Sequence, residues 1–217
     1  MSHRVIVLAL DTTLGACSVV LSQKARVLVA MSEPMERGHA ERLAPMAAEA
    51  MQSAQIPFSA IDRIAVTIGP GSFTGVRVGL AFARGLGLAL NKPVIGFSTL
   101  EVLAREDGDD GARAAVVTLT NTIFCAAYEN GEALLAPTAM APGDAAAALL
   151  HALGNKRASL RGPGAKALAA ACPAIESHIE ISAPDVTALA RLAARAPIPD
   201  QLPAPLYLRQ PNITPPA

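Results

Sequence analysis

Residues 68–79 read Ile-Gly-Pro-Gly-Ser-Phe-Thr-Gly-Val-Arg-Val-Gly, and this stretch decides the fold. An apolar run, Ile64 to Ile68, precedes it, and a long apolar-patterned segment, Val76 to Leu90, follows it. Strand, glycine turn, helix is the order in which a backbone presents free N–H groups and a helix N-terminus to an anion. Gly69, Gly71 and Gly75 permit sharp turning and close approach, while Pro70 stiffens the turn. The spacing G-x-G-x-x-x-G is neither the Walker A pattern nor the dinucleotide fingerprint, and no Lys-Ser/Thr pair follows. A plain strand-to-helix turn without a ligand is the competing reading.

Working outward, Arg4 to Leu10 is a near-continuous apolar run, the pattern of a strand buried on both faces. Asp11-Thr12-Thr13-Leu14-Gly15 is a turn signal, with strands expected over Cys17 to Leu21 and Ala25 to Met31. Gly38 to Gln52 reads as a helix with Leu43, Met46, Ala47, Ala50 and Met51 at helical spacing, kinked or delayed by Pro45. The second helix opens at Ser72 or Phe73 and closes on Asn91. Pro93 to Gly96 is a short strand, and Thr99 to Ala104 begins a third helix.

Glu106-Asp107-Gly108-Asp109-Asp110-Gly111 is the clearest composition break and marks a second module. Strands are expected at Ala114 to Leu119 and Ile123 to Tyr128, closing on an Asn130-Gly131 turn. An Ala-rich helix follows over Pro142 to Leu153. Ala158 to Leu160 is a short strand before Gly162-Pro163-Gly164, a weak echo of the first glycine turn. Lys166 to Ala171 and Asp185 to Ala196 read as helices, with Ile179 to Ile181 extended. Seven of the last 21 residues are proline, so the tail should run extended or disordered. Within it Leu206-Tyr207-Leu208-Arg209 has the look of a docked segment. The division expected is 1–105, 106–196 and a tail over 197–217.

The 217 residues balance 18 basic against 18 acidic side chains. That balance argues against the chain gripping RNA alone, since neutralising phosphates needs a basic surface. Aromatics are only 3%, so stacking platforms for single strands are scarce. Cys17, Cys125 and Cys172 are odd in number and lack a C-x-x-C, which fits a reducing cytoplasm and argues against a zinc knuckle. No signal peptide is expected at the N-terminus, and no apolar stretch is expected to span a membrane, Arg84 breaking the best candidate.

Several clusters carry chemistry on paper. Asp11 at the end of a buried strand, followed by Thr12 and Thr13, has the form of a phosphate-and-metal corner; an Asx turn closing a hairpin is the favoured alternative. His3, His39, His151 and His178 include no pair three to five apart, so a metal site is not expected. His39 reads as a surface or helix-start residue. Ser72 lies outside G-x-S-x-G, which leaves no nucleophile constellation. Gly75, Gly79, Ala83 and Gly87 recur every four residues, a small-residue stripe that fits either the domain's own sheet or a partner helix.

The string GPGSFTGVRVGL at 69–80, with Asp11-Thr12-Thr13 upstream, resembles the bacterial TsaB (YeaZ) family. His39 to Ala54, Ser98 to Ala104 and the P-x-Y-L-R string at Pro205 to Arg209 extend the resemblance over most of the chain. It implies two ribonuclease-H-like α/β modules of the actin, sugar kinase and heat-shock chaperone (ASKHA) superfamily. It implies a non-catalytic scaffold for tRNA threonylcarbamoyladenosine (t6A) modification, holding the catalytic paralogue TsaD and helping recruit the ATPase TsaE. Contact with tRNA would be indirect, with no intrinsic cofactor, ATP or ADP entering only in the complex, and no membrane. A homodimer on the same surface is the further implied assembly. The family's partner-binding role falls on Leu43, Met46, Ala47, Ala50, Phe73, Val76, Gly79, Leu80 and Ala83. On that reading Gly79→Leu abolishes the complex and leaves the monomer folded. The alternative is an ATP-binding phosphotransferase or ATPase using Asp11, Thr12, Thr13, Gly69, Gly71, Ser72 and Gly75. One departure stands out. The family usually carries an Asp-Ala-Arg-type string where this chain has Thr118-Leu119-Thr120-Asn121-Thr122, and the second module reads as reduced.

Overall fold

A computed structural model describes residues 5–24, 26–106, 108 and 110–208. The chain begins β1 (Ile6–Asp11), β2 (Ala16–Gln23), β3 (Arg26–Pro34), α1 (His39–Ser53), β4 (Arg63–Thr67), α2 (Phe73–Leu90), β5 (Val94–Phe97) and α3 (Thr99–Ala104). It continues β6 (Ala112–Leu119), β7 (Thr122–Glu129), β8 (Glu132–Met140), α4 (Pro142–Leu153), β9 (Ala158–Arg161), α5 (Ala165–Ala171), β10 (Ile175–Ile179) and α6 (Val186–Arg195). The strands form two five-stranded sheets, ordered β3-β2-β1-β4-β5 and β10-β9-β6-β7-β8. Read from the opposite edge, the second order is the first again. In each sheet an antiparallel meander of three strands is extended by two parallel strands. Both modules are therefore ribonuclease-H-like, and the fold is that of the ASKHA superfamily.

The strand periodicity of two explains the layers. In β1, Leu8 and Leu10 face α1 and α2 with Val19, Leu21, Ile64 and Val66. Val7 and Ala9 face the other way, where α6 supplies Val186, Leu189 and Ala193. In β6, Ala114 and Val116 meet Leu149 and Leu153 of α4 and Leu168 of α5. Ala115 and Val117 meet Leu100 and Leu103 of α3. Hence α3, which follows the first sheet, packs on the second, and α6, which follows the second, packs on the first. Arg63 of β4 fixes this return by donating to the carbonyls of Ala193 and Ala196 at 2.8 and 2.6 Å. The 106–196 division placed α6 with the second module; its packing places it on the first. Sequence spacing carries no information about which sheet receives an apolar helix.

Pro45 does not delay α1, which is continuous from His39 to Ser53 with Pro45 at an exposed interior position. The second module is not reduced, since β8 completes its sheet. β8 carries Pro137 inside it, which breaks the strand pattern of its sequence; as an edge strand it tolerates the missing N–H. β10 occupies Ile175–Ile179 rather than 179–181, its Glu176, Ser177 and His178 hiding an edge strand that is mostly exposed. Residues 197–208 contain no helix, and Arg209 lies outside the described residues.

Among the described residues α2 alone has the length and composition to cross a membrane. Here its Gly75, Val76, Gly79, Leu80, Ala83 and Gly87 are buried, while Arg77 and Arg84 are exposed.

Candidate functional site

The strand β1 ends on Asp11, which is fully buried. Its Oδ1 accepts three bonds: from the Thr13 amide at 3.2 Å, the Thr13 hydroxyl at 2.6 Å and the Thr67 hydroxyl at 2.5 Å. The first is the Asx turn. Thr99 Oγ1 donates to Thr13 Oγ1 at 3.2 Å and ties α3 to the same corner. Oδ2 has no hydrogen-bond partner. Burial raises the Asp11 pKa, and the hydrogen bonds from Thr13 and Thr67 only partly oppose it.

A carboxyl whose folded pKa lies above its unfolded value binds more protons when folded, so its contribution to stability is lost as pH rises from the ordinary value of 3.8 through the raised one. Asp11→Asn keeps the acceptor oxygen and removes the buried charge. Urea denaturation from pH 4 to pH 8 should show the variant losing less stability than the native chain as pH rises. Equal losses would mean that Asp11 is not the titrating group.

The glycine turn and the Asp11-Thr12-Thr13 turn fill each other. A Cβ on Gly71 would stand 2.3 Å from the Thr13 carbonyl oxygen, and one on Gly75 would stand 2.0 Å from that of Thr12. One on Gly79 would stand 2.6 Å from Thr12 Oγ1. The Ser72 amide donates to the Thr13 carbonyl at 2.7 Å, and Thr12 Oγ1 donates to the Gly75 carbonyl at 2.7 Å. Ser72 caps α2 by accepting from the Gly75 amide at 3.3 Å. Gly69, preceding a cis bond to Pro70, has φ of 98°. The close approach that these glycines permit is thus used by the chain's own backbone. Carbonyl oxygens, the wrong sign for an anion, point at the turn.

The second glycine turn repeats the arrangement. A Cβ on Gly162 would meet the Val116 carbonyl oxygen at 1.9 Å, and one on Gly164 would meet Thr118 Oγ1 at 2.1 Å. Thr118 donates its amide to the Pro163 carbonyl at 2.9 Å. The carboxylate of Glu180 accepts from the Gly164 and Lys166 amides at 2.6 and 2.9 Å. The amide of Lys166, then that of Gly164, holds the Glu180 pKa below its ordinary value. Thr120 and Asn121 form the tight β6–β7 turn, the position that Thr12 to Gly15 occupy between β1 and β2.

A cleft of about 590 Å³ lies between β2, β3 and the segment 180–187. Its carboxylates are Glu106, Glu180 and Asp185, an acidic lining that repels phosphate. Glu106 accepts from the Asp185 amide at 2.7 Å and from Arg161 at 3.0 Å, and burial raises its pKa.

The residues to which partner binding was assigned lie mostly inside the molecule. Leu43, Met46, Ala47, Ala50, Val76, Leu80 and Ala83 are buried, as is Gly79. Of the nine, Phe73 alone is accessible, at 54%. The three- and four-residue spacing is that of the face turned to the sheet, and the small-residue stripe seats α2 on Thr12 and Val94. A leucine at 79 would therefore disturb folding, which corrects the expectation for Gly79→Leu. The outward face presents instead Glu41, Ala44, Pro45, Ala48 and Gln52 on α1 and Arg77, Ala81, Arg84, Gly85 and Leu88 on α2. Leu88 is 85% exposed. His39 opens α1 but is buried, not on the surface, and its Nε2 has no partner.

No group of three or more His, Cys, Asp or Glu is placed to hold a metal among the described residues. All three cysteines are buried, and burial pushes the Cys17 and Cys125 thiols up to about 11. At pH 8 the native thiols should therefore react with an aromatic disulfide reagent far more slowly than in denaturant, where all three titrate. Rapid native labelling would contradict the packing.

A family model described as "TsaD: tRNA N6-adenosine threonylcarbamoyltransferase" matches residues 31–193. The Escherichia coli tRNA threonylcarbamoyladenosine biosynthesis protein TsaB is 36% identical over 130 residues, 58% of this chain and 56% of that protein. The chain belongs to the TsaB (YeaZ) family. Its matches span about half the length of the curated relatives named TsaB. An uncharacterized Mycobacterium tuberculosis protein, Rv3421c, is 32% identical over 96% of this chain and 94% of its own. The crystal structure of a Pseudomonas aeruginosa protein, described as similar to peptidase YeaZ, superposes with a TM-score of 0.80 at 29% identity. It covers 94% of this chain and 100% of that one. In this TsaB-family chain Ser72 serves as a helix cap.

Proposed function

We propose that the chain is a non-catalytic scaffold of the t6A system. It would hold the catalytic paralogue TsaD in its active arrangement and help recruit the ATPase TsaE, in the cytoplasm. The threonylcarbamoyl group would pass to the adenosine beside the anticodon within the paralogue, and tRNA would be met through the complex. ATP or ADP would belong to the complex rather than to this chain.

One observation carries the reading: the outward face of α1 and α2. It presents small side chains, Ala44, Ala48, Ala81 and Gly85, that let another helix approach closely, with Leu88 as a large apolar anchor. Arg77 and Arg84 are the only charges on α2, a bias that favours an acidic counterpart. The self-filled glycine turn and the acidic cleft favour this scaffold over the phosphotransferase alternative. The test is reconstituted transfer to tRNA by the paralogue and the ATPase, with and without this chain. Dependence on the chain, with no transfer by the chain alone, supports the scaffold. Full activity without it overturns the reading.

A further inference from the structure

Beyond α6 the chain does not leave the molecule. Pro203 packs over β5, the edge strand of the first sheet, so closely that a Cβ on Gly96 would stand 2.6 Å from the Pro203 Cβ. The Leu206 amide donates to the Ile68 carbonyl at 2.8 Å. Tyr207 then meets α2: its hydroxyl accepts from Arg77 Nε and Nη2 at 3.2 and 3.1 Å. Its ring lies 6.4 Å from that of Phe73, over which the Arg77 guanidinium sits at 3.7 Å. Here the tail reaches the second module. Leu206, Tyr207 and Leu208 enclose a niche of about 110 Å³ with Phe124 of β7 and with Gly69, Pro70 and Val76. Leu208 also lines a shallow recess with Asn121, Thr122, Ala139 and Met140.

We propose that residues 197–208 act as a strap across the two modules, with Tyr207 as its clasp on Arg77 and Phe73. The composition suits the task. Pro197, Pro199, Pro203 and Pro205 restrict the unfolded tail, so ordering it costs less entropy. Of these, Pro203 is the one that lies against β5, over Gly96, and it brings no N–H group that needs a partner there. The clasp is a surface contact of Tyr207 with two side chains that α2 already holds, so it can open without unfolding either core. The inference does not depend on the partner reading.

Hydrogen exchange on the full chain tests it. In Tyr207→Ala the amide of Leu206 and those at 122–124 should exchange about tenfold faster, with β1 and β6 unchanged. Arg77→Ala should reproduce the pattern, and Tyr207→Phe, which keeps the ring, should fall between. Faster exchange confined to the first module would show that the tail packs on that module alone. Unchanged exchange in both modules would show that Tyr207 clasps nothing. Either result overturns the strap.

Discussion

Gly75→Ala is expected to lower stability by about 3 kcal/mol or more, because the new methyl would stand 2.0 Å from the Thr12 carbonyl oxygen. The obstacle is backbone, and backbone at that place cannot yield cheaply. Thr12 is fixed from both sides: its hydroxyl donates to the Gly75 carbonyl, and its neighbour Thr13 accepts from Ser72. For a chain of this size the loss is worth a fall of about 6–12 °C in melting temperature. Gly85→Ala is the matched control. Gly85 lies on the same helix, is exposed and has nothing within 4 Å of an added Cβ. Alanine there should stabilise by about 1 kcal/mol through helix propensity alone. Opposite signs from one substitution on one helix would be a direct reading of the packed and free faces. A neutral Gly75→Ala would mean that the two turns do not interlock as described.

The second large effect concerns function. Ala81→Glu places a bulky charge in the middle of the outward face of α2, between Arg77 and Arg84. Ala81 is exposed, so folding stability should change by no more than about 0.5 kcal/mol. If that face receives the paralogue, affinity should fall about 100-fold, since a carboxylate would be buried in a close helix contact. Transfer to tRNA in the reconstituted system should fall with it. The buried positions cannot give so clean a separation. Substitutions at Leu43 or Leu80 would weaken the fold and the complex together.

Much of this architecture is legible in the sequence because its central strands are unbroken apolar runs and its helices repeat. Val7 to Leu10 and Ile64 to Val66 lie where those runs put them, and Phe73 to Asn91 where helical spacing does. The two edge strands of the second sheet are the exception. β8 and β10 bury little, so they carry proline and polar residues instead of a pattern. The site is less legible for a related reason. A glycine that approaches a phosphate and a glycine that approaches a neighbouring carbonyl look alike in sequence. Gly71 and Gly75 are the second kind. Likewise a stripe of small or apolar residues marks a face in close contact without naming its neighbour. The stripe of α2 faces Thr12 and Val94, and the surface left for a partner is the less conspicuous row from Arg77 to Leu88. The second Gly-Pro-Gly was a faint echo as text. In three dimensions Gly162 and Gly164 press on Val116 and Thr118 much as Gly71 and Gly75 press on Thr13 and Thr12.

The most direct test of the central claim is the dissociation constant of this chain and its TsaD paralogue, measured by calorimetry for the native chain and for Ala81→Glu. The melting temperature of each is recorded alongside. The scaffold account predicts a stable native complex, about 100-fold weaker binding for the variant and unchanged melting. Native-like binding by a normally folded Ala81→Glu chain would contradict it and move the partner surface away from α2.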